Sequence, residues 1–152
     1  MALYRRILVP LDGTDVDDAI LDHVAELARL CGAEVVLLRV AHFHTRDTMA
    51  HEVEDAGAQL QHTAGELAER GLCVSTVIGR GEPVDVIVEK ARQYAIDLIA
   101  MATHGHGRLP RMVYGSVAEQ VRHKTNVPLL LVKATPGPVR PTPSGRGSPS
   151  ED

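Results

Sequence analysis

Residues 6–42 read RILVPLDGTDVDDAILDHVAELARLCGAEVVLLRVAH, and this stretch decides the fold. Two apolar runs, at residues 6–11 and 34–42, lie on either side of a segment in which apolar side chains recur three and four residues apart. That spacing predicts a helix with one buried face. The second run is nearly continuously apolar, as in a strand that is covered on both faces. The stretch therefore predicts a strand, a helix and a second, parallel strand.

The ends of this first helix are marked by residues that favour helix termini. Thr14 is the predicted N-cap, and Asp15, Asp17 and Asp18 suit the positive end of the helix dipole. Gly32 is the predicted stop. The predicted buried stripe consists of Ile20, Val24, Leu27 and Cys31.

The same alternation continues along the chain. Further helices are predicted at residues 45–70 and around 116–123, and another helix follows a predicted turn at Gly79 and Gly81. Further strands are predicted at residues 73–78, 97–103 and 127–132. Five strands with intervening helices predict an α/β fold with an open five-stranded parallel sheet and helices on both faces. Residues 1–134 form the predicted domain. Residues 135–152, rich in Pro, Gly and Ser, are predicted to be a disordered tail.

Composition narrows the classes of function. The chain has 152 residues, about one domain's worth, with 3% aromatic residues and a formal charge of -4. These values argue against a surface that stacks on bases or binds a polyanion by charge alone. No apolar run could span a bilayer and no signal peptide is evident, so we expect a cytoplasmic protein that binds neither nucleic acid nor membrane. Cys31 and Cys73 are predicted to be small core residues in a reducing compartment.

In a doubly wound sheet, ligands bind beyond the carboxyl ends of the strands, so the loops after the strands are the candidate sites. In the first of these loops Asp12 directly follows a strand. Its carboxylate suits hydrogen bonds from a ribose hydroxyl or a base amine. The acids at positions 15, 17 and 18 are interpreted as helix-capping residues, and so many carboxylates would repel a phosphate.

The loop after the fourth strand, HGHGRLPRMVYGS, has the opposite character, since no acid occurs at residues 98–118. Its glycines allow main-chain N–H groups to approach an anion. A helix that begins near Gly115 and Ser116 offers further free N–H groups. This loop is therefore a predicted phosphate cradle. His104 and His106 alone are a weak metal signal, and no metal ligand is predicted.

Over residues 4–133 the chain resembles the universal stress protein family. Nucleotide-binding members of that family carry G-x-x-G, then nine residues, then G-[ST]. Gly105, nine further residues and the pair Gly115-Ser116 match the second part of this motif, whereas Ala102 stands at the first glycine. The stretches RILVPLDGT and GEPVDVIVEKARQYAIDLIAMATHG also resemble the family.

The resemblance implies a Rossmann-like fold of the adenine nucleotide alpha hydrolase-like type. It implies ATP bound across the point where the strand order reverses, with Mg²⁺ held through the phosphates. It also implies a homodimer formed through the last strand, residues 127–133. The residues that it places at the nucleotide are Pro10, Asp12, Val40 (through its main chain), Ala102, His104, Gly105, Gly115, Ser116 and Val117.

Together these observations predict an ATP-binding regulatory protein of the stress response, with no catalytic residue and at most slow ATP hydrolysis. Because Ala102 replaces a motif glycine, the alternative is a dimeric interaction module that binds no ATP or prefers another adenine nucleotide such as cyclic AMP. A phosphoacceptor receiver domain has the same strand pattern. It needs an aspartate at the end of the third strand, where this chain reads VIGRG.

Overall fold

The computed structural model describes residues 3–41, 46–104 and 114–134. Strands and helices alternate strictly through these residues. In chain order they are β1 (Arg6–Leu11), α1 (Asp17–Cys31), β2 (Glu34–Ala41), α2 (Arg46–Glu69), β3 (Cys73–Arg80), α3 (Pro83–Gln93), β4 (Leu98–His104), α4 (Tyr114–Lys124) and β5 (Leu129–Ala134). The predicted tail lies outside the described residues.

The five strands form one parallel sheet in the order β3-β2-β1-β4-β5. The chain proceeds outward from β1 to β3, returns to the other side of β1, and then continues to β5. The direction of strand order therefore reverses between β1 and β4. This arrangement confirms the predicted open parallel α/β sheet.

Each face of the sheet packs against two helices, as right-handed crossovers require. Ile7 and Val9 of β1 lie in a core cluster with residues of α1 and α2, whereas Leu8 lies in a second cluster with residues of α3 and α4. All three side chains are fully buried. Alternate residues of the same strand thus fill both cores, which is why the inner strands are apolar almost without interruption.

The start of α1 differs from the prediction. The helix begins at Asp17, its N-cap residue is Val16, and no side chain caps it. Thr14, the predicted N-cap, instead accepts a hydrogen bond at its carbonyl oxygen from the Asp17 N–H, at 3.1 Å. The predicted stop is confirmed, because Gly32 has a left-handed φ of 67° and its N–H bonds to the carbonyl of Ala28.

The third strand is longer than predicted and includes Gly79. A Cβ atom at Gly79 would overlap with Cγ1 of Val86, so the missing side chain allows α3 to pack closely on β3. The turn is made at Gly81 alone, with φ of 124°. The prediction of a turn at Gly79 was wrong, because close packing selects glycine there.

The two cysteines differ in their surroundings. Cys31 is partly buried against the core, whereas Cys73 is exposed at the start of an edge strand. Both thiols are free. The prediction of two core cysteines was therefore wrong for Cys73, where the edge of the sheet leaves the first residue of β3 in contact with solvent.

Candidate functional site

The reversal of strand order coincides with a gap in the sheet. Pairing between β1 and β4 ends at Leu8 and Ile99. Pairing of β1 with β2 continues to the last residue of β1, and pairing of β4 with β5 continues to the last residue of β4. Pro10 lies beyond the end of the β1–β4 pairing, where its missing N–H interrupts no ladder between those strands. The carboxyl ends of β1 and β4 thus flank a crevice at the switch point, the usual ligand position in such sheets.

One wall of this crevice is the loop between β1 and α1. The Asp17 carboxylate accepts hydrogen bonds from the main-chain N–H groups of Asp12, at 3.1 Å, and Gly13, at 2.8 Å. Oδ1 of Asp12 accepts bonds from the N–H and the hydroxyl of Thr14, at 2.9 and 2.5 Å. Asp12 is half-buried at the end of β1. The main-chain N–H of Asp12 is therefore held by Asp17, and its carboxylate is held by Thr14.

The opposite side of this loop packs against Arg39 of β2. The pairing of β1 with β2 places Arg39 beside Leu11, the last residue of β1. Gly13 has a φ of 82°, and a Cβ atom there would overlap with the Arg39 guanidinium. Nη1 of Arg39 also donates to Oε1 of Gln59 on α2, at 3.4 Å. The left-handed backbone therefore favours glycine at position 13, and the missing side chain leaves room for the guanidinium.

Asp17 is the buried charged residue of the described ranges, with 6% of its surface exposed. Burial raises the pKa of its carboxyl group from 3.8 to about 7. The neighbouring Asp12 carboxylate acts in the same direction, whereas the N–H groups of Asp12 and Gly13 and the Arg39 guanidinium act against it. The hydrogen bonds and the nearby cation favour the ionised form but do not outweigh desolvation.

A cleft of about 400 Å³ adjoins this loop on the face covered by α1 and α2. Its lining consists of Gly13, Thr14, Asp17, Asp18, Leu21, Ala58, Gln59, His62 and Thr63. The cleft therefore lies beside the β1–α1 loop and away from α4.

The other wall of the crevice is the start of α4. This helix begins at Tyr114, two residues earlier than predicted, so Gly115 and Ser116 lie in its first turn. The N–H groups of a first turn have no partner within the helix. No acid occurs in the first turn, and the last turn is basic, with Arg122, His123 and Lys124. Ser116 is exposed, and its hydroxyl accepts a bond from Nε2 of Gln120 at 3.3 Å.

Several of the predicted site residues turn their side chains into the core. Val40 packs in the cluster under α3 and α4, and so does Val117. Ala102 packs in the cluster under α1 and α2 and is paired with Val132 within the sheet. Pro10 is buried in β1. Each of these residues can therefore meet a ligand at the sheet edge only through its main chain or its immediate neighbours.

The replacement of the first motif glycine by Ala102 does not strain the backbone. Among the described residues, Ala95 is the only residue other than glycine with a positive φ. Ala102 is an ordinary strand residue whose methyl group points into the core. The structure thus needs no glycine for conformational reasons at this position.

The remaining predicted residues are described only in part. His104 is the last residue of β4, but its side chain lies outside the described part of the chain, as do Gly105 and His106. Within the described ranges, no group of three or more His, Cys, Asp or Glu residues could hold a metal ion. No helix in those ranges is long and apolar enough to cross a membrane.

Two residues of this site were missed at the sequence level. Asp17 was interpreted as a helix-capping acid, but its carboxylate turns back to the loop. Arg39 lies in a strand that was predicted from its apolar residues, and it is not among the predicted site residues. A single charged residue inside the run EVVLLRVA is itself a signal, because a cation in a buried strand needs an anion or a polar partner nearby.

An open parallel sheet with a crevice at its switch point defines a doubly wound, Rossmann-like α/β protein. The universal stress protein family model matches residues 3–133, and the chain belongs to that family. It is 30% identical to universal stress protein MJ0577 of Methanocaldococcus jannaschii over 155 aligned residues, which cover 86% of this chain and 96% of the relative.

The solved structures most informative for this chain share its fold. The MJ0577 structure superposes with a TM-score of 0.73 at 31% identity, covering 88% of this chain and 98% of that one. A universal stress protein of Archaeoglobus fulgidus in complex with dAMP gives a TM-score of 0.64 at 24% identity, with 88% and 100% covered. A universal stress protein in complex with cAMP gives 0.62 at 20% identity, with 87% and 98% covered.

Proposed function

We propose that this protein binds ATP in the crevice between β1 and β4 and that the bound nucleotide regulates its interactions in a stress response. The observation that carries the proposal is the early end of the β1–β4 pairing at Leu8 and Ile99. It leaves a space at the carboxyl ends of β1 and β4, between the Asp12 carboxylate on one side and the acid-free start of α4 on the other. These two walls suit the two chemically different ends of a nucleotide.

The adenosine end is assigned to the β1–α1 side. Asp12 is half-buried at the end of β1, where its carboxylate can accept hydrogen bonds from ribose hydroxyl groups. Val40 lies near the end of the neighbouring strand β2, and its buried side chain leaves its main chain for the adenine edge. Pro10, which is buried in β1, would contribute through its main chain.

The phosphate end is assigned to the start of α4. Gly115, Ser116 and Val117 lie in the first turn, whose N–H groups and positive dipole end attract an anion. His104 and Gly105 are added by the family motif. The Mg²⁺ that accompanies ATP would be held by the phosphate oxygens. No residue of the described walls is proposed as catalytic, and slow hydrolysis is the most that we expect.

The experiment that tests the proposal is calorimetric titration of the full chain with Mg-ATP, AMP, adenosine and cyclic AMP. We expect saturable ATP binding that weakens as phosphates are removed. The variant Ser116→Ala should weaken ATP binding more than adenosine binding. The Ser75→Ala change, at a partly buried position of the edge strand β3, is the matched control and should leave both affinities unchanged. Absence of adenine nucleotide binding by the native chain would refute the proposal.

The alternative is a dimeric module that prefers another adenine nucleotide or binds none. A related structure holds cAMP, which favours cyclic AMP as the competing ligand. The same titration separates these functions, because a cyclic AMP receptor should bind cyclic AMP more tightly than ATP.

The homodimer is proposed through the free edge of β5. The two edge strands differ, because β5 is mostly apolar (LLLVKA) and Leu131 is 50% exposed, whereas β3 carries Ser75 and Thr76. An apolar edge favours pairing with a second copy. Leu131→Asp should convert a dimer into a monomer in analytical ultracentrifugation. Leu30→Asp introduces the same charge at an 85% exposed leucine of α1 and should leave the dimer intact.

We also retain the cytoplasm as the proposed compartment. Both cysteines of the chain are free, as in proteins of reducing compartments. Fractionation of the producing cells would test it, and recovery with the membrane fraction would contradict it.

A further inference from the structure

We propose that Asp17 is the positioning residue of the nucleotide site, because its carboxylate holds the main chain of Asp12 and Gly13 in the conformation that presents Asp12 to the ribose. This inference rests on the proposed function. It adds a residue that touches no ligand and acts through Asp12.

The first argument is that two main-chain N–H groups, those of Asp12 and Gly13, find their acceptor in Asp17 and not in the sheet. Asp12 and Gly13 follow the last residue of β1, so no neighbouring strand accepts their N–H groups through the sheet. Each N–H instead donates to a separate oxygen of the same carboxylate, at 3.1 and 2.8 Å. Asp17 itself is anchored, because it is the first residue of α1 and Ile20, one turn further on, is fully buried.

The second argument is that the loop is held from both sides. The Arg39 guanidinium occupies the space beside Gly13 where a side chain would otherwise lie. Arg39 also attracts the Asp17 carboxylate, which lies across the same loop. The loop is therefore fixed between α1 and β2, and the direction in which Asp12 points is fixed with it.

The third argument is a comparison within the same strand. At the opposite end of β1, the Asp97 carboxylate accepts hydrogen bonds from the N–H groups of Arg5, at 2.8 Å, and Arg6, at 3.1 Å. The chemistry is the same, but this end of the sheet lies away from the crevice. Asp97 is therefore a matched control, since it separates the effect of losing such a clamp on stability from an effect on the site.

The test compares Asp17→Asn with Asp97→Asn in the full chain at pH 8. An asparagine has nearly the same shape, but its amide nitrogen cannot accept from a main-chain N–H. Adenosine and Mg-ATP affinities are measured by calorimetry, and the free energy of unfolding by urea denaturation. For D17N we expect adenosine and ATP affinities to fall by the same factor, about tenfold, because only the adenosine end is disturbed. For D97N we expect lower stability with affinities within about twofold of the native values.

The outcomes are distinct. Equal affinities for D17N and the native protein would overturn the inference while leaving the proposed function intact. So would a loss confined to ATP, or an equal loss in D97N. Failure of the native protein to bind adenosine and ATP would overturn both. Should D17N not fold, Asp17→Ala removes both the buried charge and the acceptors, and the same equal loss of affinity is required of it.

Discussion

The burial of Asp17 leads to a defined dependence of stability on pH. Its pKa is about 7 in the folded protein, against an ordinary value of 3.8. Between these values the unfolded chain releases a proton that the folded protein retains, so stability falls as pH rises. The rise of about three pH units corresponds to about 4 kcal/mol in total. The contribution is fully present below pH 3.8 and lost once pH exceeds about 7.

Roughly 2–3 kcal/mol of this loss falls between pH 5 and pH 8, which is an accessible range. The chain carries other titratable groups, so the pH dependence of the native protein alone does not isolate Asp17. Asp12, Asp18, Arg39 and His62 also face Asp17 or line the cleft beside it. The Asp17→Asn variant keeps all of these groups, and the difference between the two proteins therefore isolates the Asp17 carboxyl.

Urea denaturation of both proteins at several pH values measures that difference. We expect the free energy of unfolding of the native protein, minus that of D17N, to decrease by roughly 2–3 kcal/mol from pH 5 to pH 8. The decrease should flatten above pH 7.5. A difference that stays constant within about 0.5 kcal/mol, which is about the error of such extrapolations, would refute the reasoning. Asp17 would then have the same pKa in the folded and the unfolded states.

Three packing predictions follow from individual positions. Gly79→Ala should lower the free energy of unfolding by about 1–3 kcal/mol, because the new methyl group meets the buried Val86; unchanged stability would contradict the close packing of α3 on β3. Gly65→Ala should raise stability by up to about 1 kcal/mol, since the α2 position is open and helical, and a loss in thermal denaturation would contradict this. Leu37→Ala in the core should cost about 2–5 kcal/mol. Leu3→Ala, at a 75% exposed side chain, should cost less than about 0.5 kcal/mol, and similar losses at both positions would disagree with the core described above.

The sequence was sufficient to predict the fold, because every element is a separate hydrophobic pattern. The bounds of β1 follow directly from the run RILVPL, and the alternation of runs with helical spacing implies a parallel sheet. Local patterns were less informative where tertiary contacts select the residue. Gly79 has the signature of a turn, but it is required by the approach of α3.

The sequence predicted the two walls of the candidate site, but not the residues that hold the β1–α1 loop in place. Asp12 was predicted from its position after a strand, and the start of α4 from its glycines and lack of acids. The inward turn of Asp17 and the close approach of Arg39 to position 13 depend on strand register and helix placement, which local sequence does not encode. The φ of Ala102 likewise became known only from its place in β4.

The short pairing of β1 with β4 also divides the sheet mechanically. On one side of this seam, β1, β2 and β3 are paired along their whole lengths, and on the other side β4 is paired with β5 from Ile99 to His104. The seam itself joins only Ile7 and Leu8 to their partners. Native-state hydrogen exchange should therefore reveal two units that open separately, with a boundary between β1 and β4. A ligand that contacts both Asp12 and Ser116 would bind only when the two units are together. Its binding free energy would therefore stabilise the short β1–β4 pairing against local opening.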